Sequence, residues 1–396
     1  MSKICSLRSR LSAKELWRII KKALMIDLNK FVLNSTRRKI SEFVGPVIVW
    51  NLTAKFNLKC LHCYAEKGKA KFKELSKKEI LKVIPDFRKI KVPLVILSGG
   101  EPLLVKDIFS ICTVFKNNGI RTSLSTNGTL INKTVAKNIK KSGIGYVGVS
   151  IDGIGHANDF LRGKKNAFSY ALKAIAYCKE LNIKTGIRFT VAEYNIKELK
   201  EVLSLCEKLE VDRFCLYGLV YSGRAMNLVD NDLSKLQKRR VLETLISFVE
   251  KNQGKIEVLT TDNPCDGVFL NKYMCESIDN NLSGGCAAGV KLFNIDEFGF
   301  IHPCQFWQNY SLGNIRKDKL SEIISYPDEL LMKLKHKEDY LKGKCGSCGY
   351  KSSCGGCRVR AKAVFKDAWQ EDPACFLNTE ELEVNAVSQL SAAAPA

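Results

Sequence analysis

A chain of 396 residues, 45% hydrophobic and 26% charged, is long enough for two or three globular domains. No uncharged apolar run approaches the roughly 18 residues of a membrane span, and the basic N-terminus interrupts its apolar residues with charge, unlike a signal peptide. Sixty-three Lys and Arg against 41 Asp and Glu give +22, but the lysines lie in scattered pairs with few aromatics between them. That pattern disfavours a nucleic-acid partner and suits a solvated surface, a polyanionic substrate or an acidic redox partner.

Residues 12–28 place Leu16, Ile19, Ile20, Ala23 and Leu24 at helical spacing behind a Ser12–Glu15 capping pair, which predicts an amphipathic helix. From residue 46 short apolar runs alternate with longer helical stretches. The runs PVIVWNL, VPLVIL, IRTSLS, GYVGVSI, TGIRFTV and RFCLYGL predict six strands. SKKEILKVIPDFRKI, opened by Ser76 and Glu79, and FSYALKAIAYCKELN predict helices between them. Six such units argue for a parallel α/β sheet, open or curled into a partial barrel. Loops at the C-terminal strand ends are where such folds keep their chemistry, and here they hold FNLKCLHCYA, SGGEPL, STNGTL, SIDGIG and YSGR. A helical bridge over about 231–252, a strand-like KIEVLTT and a loop with Cys265 and Cys275 lead into a cysteine-rich C-terminal region, and SQLSAAAPA reads as a frayed tail.

Sixteen cysteines without a secretion signal favour metal or redox chemistry over disulfides. Cys5, Cys112, Cys178, Cys206 and Cys215 fall in apolar patterns and read as plain thiols. KCGSCGYKSSCGGC spaces Cys345, Cys348, Cys354 and Cys357 as C-x2-C-x5-C-x2-C, with Cys286 and Cys304 upstream and Cys375 beyond. Thiolates on glycine-rich turns converge on a metal without backbone strain. Zinc accepts four thiolates as readily as an iron–sulfur cluster does, so spacing alone leaves both open. In FNLKCLHCYA, Cys60 and Cys63 would make a trio with a cysteine four residues before Cys60, where Phe56 stands. SGGEP offers two glycines for close backbone approach and the Glu101 carboxylate, while STNG and SIDG offer Ser125, Asn127, Ser150 and Asp152 to hydroxyls and amines.

Together these motifs, from about residue 46 to 380, resemble the radical S-adenosylmethionine enzymes with a C-terminal SPASM domain. The resemblance implies a partial (β/α)6 TIM-like barrel followed by a small cysteine-rich iron–sulfur domain. It divides the chain into an N-terminal helical segment (1–45), the barrel (46–225), a helical bridge (226–275), the auxiliary-cluster domain (276–380) and a tail (381–396). In that family a Cys-x3-Cys-x2-Cys loop holds a [4Fe-4S] cluster whose free iron chelates S-adenosylmethionine. By the same resemblance Cys60 and Cys63 are two of the three ligands and His62 lies near the adenine. Gly99, Gly100 and Glu101 would meet the methionine amine, and Asn127, Ser150, Asp152 and Arg162 the ribose and carboxylate. Cys345, Cys348, Cys354 and Cys375 match one auxiliary [4Fe-4S] cluster, and Cys286, Cys304 and Cys357 match three ligands of a second, with Cys275 as a spare thiol. Phe56 departs from the pattern: a phenyl ring cannot coordinate iron, which puts the radical cluster in doubt.

GPVIVWNLT, YSGR, DNPCDGVFL, HPCQFW and EDPACFL further resemble the tetrapyrrole-modifying members, the proteins of alternative haem biosynthesis and of nitrite-reductase haem assembly. This implies a cytoplasmic enzyme of alternative haem biosynthesis that removes acetate groups from iron-didecarboxysirohaem to give iron-coproporphyrin, with a small electron-transfer protein as reductant. A propionate-decarboxylating haem synthase, a SPASM peptide maturase and a non-catalytic iron–sulfur protein are the alternatives. Carboxylates around a flat ring suit arginine forks, for which Arg162, Arg188, Arg224, Arg358 and Arg360 are candidates. Trp307, Phe306 and Tyr221 are candidates to stack on the macrocycle; His302 could reach its iron, although a structural histidine in a turn is the plainer expectation.

Overall fold

A computed structural model describes residues 45–65, 72–273 and 285–382. The helix expected over 12–28, the tail, Cys5 and Cys275 lie outside the described residues. The six expected strands all form: β1 (Val47–Asn51), β2 (Leu94–Ser98), β3 (Arg121–Thr126), β4 (Tyr146–Ser150), β5 (Lys184–Thr190) and β6 (Arg213–Tyr217). KIEVLTT supplies β7 (Glu257–Thr261). The cysteine-rich region adds β8 (Leu292–Ile295), β9 (Phe300–His302) and β10 (Gly313–Asn314).

All ten join one sheet in the order β10-β9-β8-β1-β2-β3-β4-β5-β6-β7. β1 to β7 run parallel, and β8 pairs parallel with the free side of β1 before the chain turns back through the antiparallel β9 and β10. Because β7 and β10 are edges rather than neighbours, the sheet stays open, as expected of a partial barrel.

Strand alternation separates two faces. On one, Val147, Val149, Ile187, Phe189, Phe214 and Leu216 are buried, and they join a core that includes Cys112, Cys178 and Cys206 from the covering helices. On the other, Ser125, Ser150, Arg188, Thr190 and Tyr217 are only half-buried. Parallel sheets are ordinarily apolar on both faces, so a polar inner face marks the side reserved for a ligand.

Two local expectations need correction. SKKEILKVIPDFRKI is not one helix but two, Lys77–Leu81 and Ile84–Lys89. Pro85 has no N–H to donate to Leu81 and its ring crowds the preceding turn. The Ser76–Glu79 capping box forms as read, with both reciprocal hydrogen bonds present. Cys265 stands not in a loop but on the first turn of a helix, Cys265–Tyr273.

Candidate functional site

The loop after β1 carries Cys60 and Cys63, and neighbouring loops hold it at four places. At its start, the Gly100 and Glu101 amides donate to the Thr53 and Lys55 carbonyls (2.7 and 2.8 Å). A Cβ on Gly100 would lie 1.9 Å from the Lys55 oxygen, so only glycine permits this contact. Next, Asn57 accepts from the Asn127 amide (2.8 Å) and donates to Thr129 (2.8 Å). The Lys59 and Leu61 amides then donate to the carbonyls of Arg162 and Leu161. Finally, Arg224 donates from its backbone to the Cys63 carbonyl (2.9 Å) and from Nε to that of Cys60 (2.7 Å). The Tyr64 hydroxyl, 3.3 Å from Ser98, ties the same loop to the strand end before Gly99. The SGGEP, STNG, SIDG and YSGR loops thus converge on the Cys60–Cys63 turn.

Around that turn the charges are paired. Asp152, fully buried, takes His62 Nε2 at 3.1 Å and an ion pair from Arg162. Burial would push its carboxyl up, but Arg162 and His62 outweigh it and hold it below the usual carboxylate range. Arg162 also points Nη1 at the Cys60 sulfur (3.8 Å). Burial raises the Cys63 thiol, against the pull of Arg224 and Arg162. Ser150, at the end of β4, lies two residues before Asp152 and level with Arg188 on β5.

Glu101 sits in the expected place with its lone pairs largely taken. Its carboxyl accepts from the Thr126 hydroxyl (2.7 Å) and the Asn127 and Leu103 amides (3.0 and 3.2 Å), so it joins the β2 and β3 ends. By contrast, His62 Nδ1, Arg162 Nε and both side-chain polar atoms of Asn51 are buried without a protein partner. Buried polar atoms are normally satisfied, so these orphans fit a polar ligand at the strand ends. For a cluster the fit is incomplete: two thiols are present, and Phe56, 38% exposed, offers no donor atom.

The late cysteines come together as two sets. Cys345, Cys348, Cys354 and Cys375 line a pocket of about 380 Å³, and Cys265 is a fifth thiol on its wall. The nearby Cys265 thiol holds Cys375 below the usual thiol range, against the effect of burial. Backbone N–H groups of Tyr350 and Asp372 donate to the sulfurs of Cys348 and Cys345 (3.4 and 3.3 Å), as cluster thiolates ordinarily receive. Cys286, Cys304 and Cys357 are near enough to perturb one another electrostatically, and the Cys286 amide bonds the Cys354 carbonyl (3.0 Å), linking the sets. Among the described residues no three His, Cys, Asp or Glu close on a single ion.

Sequence reasoning missed Cys265, although a signal existed. Asn263-Pro264-Cys265-Asp266 offers a capping-type residue and a proline just before the helix and an acid in its first turn.

Four of the five candidate arginine forks are occupied by the protein itself. Arg162 and Arg224 brace the early loop. Arg358 donates to the Ala368 and Gln370 carbonyls and to the Cys345 sulfur. Arg360, 1% exposed, grips Asp372 with two bonds of 2.9 Å and spends its other donors on Leu219, Asp262 and Asn263. That side chain fastens the cysteine-rich domain to the loops after β6 and β7.

The stacking candidates divide similarly. Tyr221 is buried with its hydroxyl on Asp232, and Trp307 is buried beside Cys304. Phe306 is half-buried and meets the Tyr64 ring edge-on (4.9 Å), so it joins the two thiol regions. His302 has Nδ1 at the Tyr310 carbonyl (2.7 Å) and Nε2 at Asp296 (3.3 Å), which leaves neither nitrogen for iron.

Among the described residues no helix is long and apolar enough to cross a membrane. The Radical SAM superfamily model matches residues 50–206, and the SPASM model, an iron–sulfur cluster-binding domain, matches 286–349. The chain is 38% identical to Fe-coproporphyrin III synthase of Methanosarcina barkeri, over 85% of this chain and 89% of that one. It is also 38% identical to pre-heme d1 synthase of Dinoroseobacter shibae, over 85% and 87%. Streptococcus suis SuiB bound to S-adenosylmethionine shares the fold, with a TM-score of 0.68 at 19% identity over 94% of this chain and 86% of that one. With these matches and a fold that gathers the expected loops, the chain belongs to the radical S-adenosylmethionine enzymes with a C-terminal SPASM domain, whose cofactors are S-adenosylmethionine and [4Fe-4S] clusters, in the group that contains these haem-synthesis relatives.

Proposed function

We propose that this protein modifies the side chains of an iron-tetrapyrrole, removing acetate groups from iron-didecarboxysirohaem to give iron-coproporphyrin. The carrying observation is the 38% identity, over 85% of the chain, to a relative named Fe-coproporphyrin III synthase. The AdoMet-dependent heme synthase of Nitratidesulfovibrio vulgaris reaches 30%. Pre-heme d1 synthase matches as well as the first relative, so a neighbouring reaction on the same ring system is the second reading.

In this reading Cys345, Cys348, Cys354 and Cys375 hold one auxiliary cluster, and Cys286, Cys304 and Cys357 hold three irons of another. Asp152, Arg162, Asn127, Ser150, His62 and the Gly99–Gly100 backbone frame S-adenosylmethionine. Glu101 acts by fixing Asn127 rather than by meeting the amine. A small electron-transfer protein supplies electrons in the cytoplasm. A complete radical cluster supplies a 5′-deoxyadenosyl radical; with Phe56 in place of a third thiolate, this copy holds that cluster loosely.

The test is anaerobic reconstitution of the chain and its Phe56→Cys variant, with iron, sulfide and 5′-deoxyadenosine measured with and without the tetrapyrrole. Difference spectra of the added iron-porphyrinoid report binding. Both proteins should bind the porphyrinoid, and Phe56→Cys should gain about one cubane of iron and release at least tenfold more deoxyadenosine, a gain of about 1.4 kcal/mol in transition-state terms. Unchanged iron and deoxyadenosine in the variant would show that the third ligand has been misplaced. Failure of both proteins to bind any porphyrinoid would remove the haem assignment.

A further inference from the structure

Among the described residues, Arg188 is the candidate fork with a single hydrogen-bond partner, the Ser125 hydroxyl. It stands midway along β5 on the inner face, level with Ser150 on β4 and Cys215 on β6. Its guanidinium bonds the Ser125 hydroxyl across the sheet and lies over the Tyr217 ring, 4.6 Å from the centroid. Among the described residues no carboxylate pairs with it, whereas Arg162 and Arg360 on the same side each have an aspartate. Leaving a cation unpaired in a partly desolvated interior is costly, and the surroundings are shaped to keep it there. A Cβ on Gly148 would come within 2.8 Å of the Arg188 Cδ, so the missing side chain on β4 is what lets the arginine lie flat across the sheet. The nearby Asp262 is pushed by burial up to about 7, against the pull of Arg360 and Arg188, so it neutralises Arg188 only in part.

We propose that Arg188 binds a carboxylate of the substrate inside the barrel and so sets a requirement for an acidic tetrapyrrole. This rests on the haem reading above. A guanidinium is flat, permanently charged and forked, which suits a carboxylate, and a strand holds it more rigidly than a loop would. Tyr217 and Ser125 hold the guanidinium on the half-buried inner face.

The experiment titrates Fe-coproporphyrin III and its tetramethyl ester, followed by Soret difference spectra, into the reconstituted protein, Arg188→Met and Arg188→Lys. Arg188→Met should bind the tetra-acid roughly 10- to 100-fold more weakly, the size of one charge-assisted hydrogen-bonded contact, with ester affinity unchanged. Arg188→Lys should lie between, since an ammonium keeps the charge without the fork; it also carries the test should Arg188→Met not fold, which iron content and circular dichroism reveal. Equal affinity of the three proteins for the tetra-acid overturns the proposal, as does parallel weakening of acid and ester, which marks a packing role. Loss of S-adenosylmethionine binding with tetra-acid affinity intact assigns the arginine to the cofactor instead and overturns it too. If the unsubstituted protein binds neither porphyrin, the haem reading fails and this assignment falls with it.

Discussion

Cys60 and Cys63 sit on a half-exposed loop whose shape is imposed by four neighbouring loops, whereas most of the late cysteines are buried on short turns cross-tied to one another. The early loop has two thiols and a phenylalanine where a third ligand would stand; the late region has five thiols on one pocket and three more near enough to perturb one another electrostatically. Phe56 leaves the early loop one thiol short of the family's three, whereas the late turns carry the seven thiols that the resemblance assigns to them.

The largest effect should come from the link between the regions. Arg360→Ala leaves Asp372 buried and unpaired, and breaking a buried pair from one side costs about 3–5 kcal/mol. Urea unfolding should show the loss, with less auxiliary iron retained, while Arg360→Met combined with Asp372→Leu should recover much of the stability. If Arg360→Ala keeps full stability and iron, the domain is not fastened where we place the fastening.

A smaller effect is expected at the early loop. Gly223 has φ +56°, and a Cβ there would lie 2.6 Å from the Cys63 and Tyr64 carbonyls. Gly223→Ala should cost about 1–3 kcal/mol and disturb the Cys60–Cys63 loop while leaving auxiliary iron intact. Loss of auxiliary iron as well would erase the contrast between the sites.

The smallest effect is a pH dependence. Burial pushes the Asp266 carboxyl up to about 7 despite bonds from Thr260 and Asn263 and the pull of Arg360 and Lys238. A carboxyl whose folded pKa is raised binds more protons folded than unfolded. Its contribution is full below the unfolded value of about 4 and is lost as pH rises through about 7. The urea midpoint should thus fall less between pH 5 and 7.5 in Asp266→Asn than in the parent. An identical fall in both would exclude this carboxyl as the titrating group.

Much of this was legible in local pattern. The apolar runs located β1 to β6, because hydrophobic patterning is a property of a few consecutive residues, while the division of the late thiols into two sets was implied by the family resemblance rather than by their spacing. What was not legible depends on contacts between distant residues. Nothing in GPVIVWNLT announces that β8 would lie against β1, or that four of five arginines would be spent on their own chain. Sequence gives no sign that the Thr126 hydroxyl and the Asn127 amide bond the Glu101 carboxylate. Pro85 was visible, and its power to split the helix was underweighted.

The β1–β8 seam has one more consequence. Asn294 hydrogen-bonds the Val49 carbonyl across 245 positions of sequence, so one flank of the earliest described strand waits for a partner made much later. A ribosome-bound fragment ending before residue 292 would present a bare, sticky ribbon at that flank, inviting association with other nascent chains.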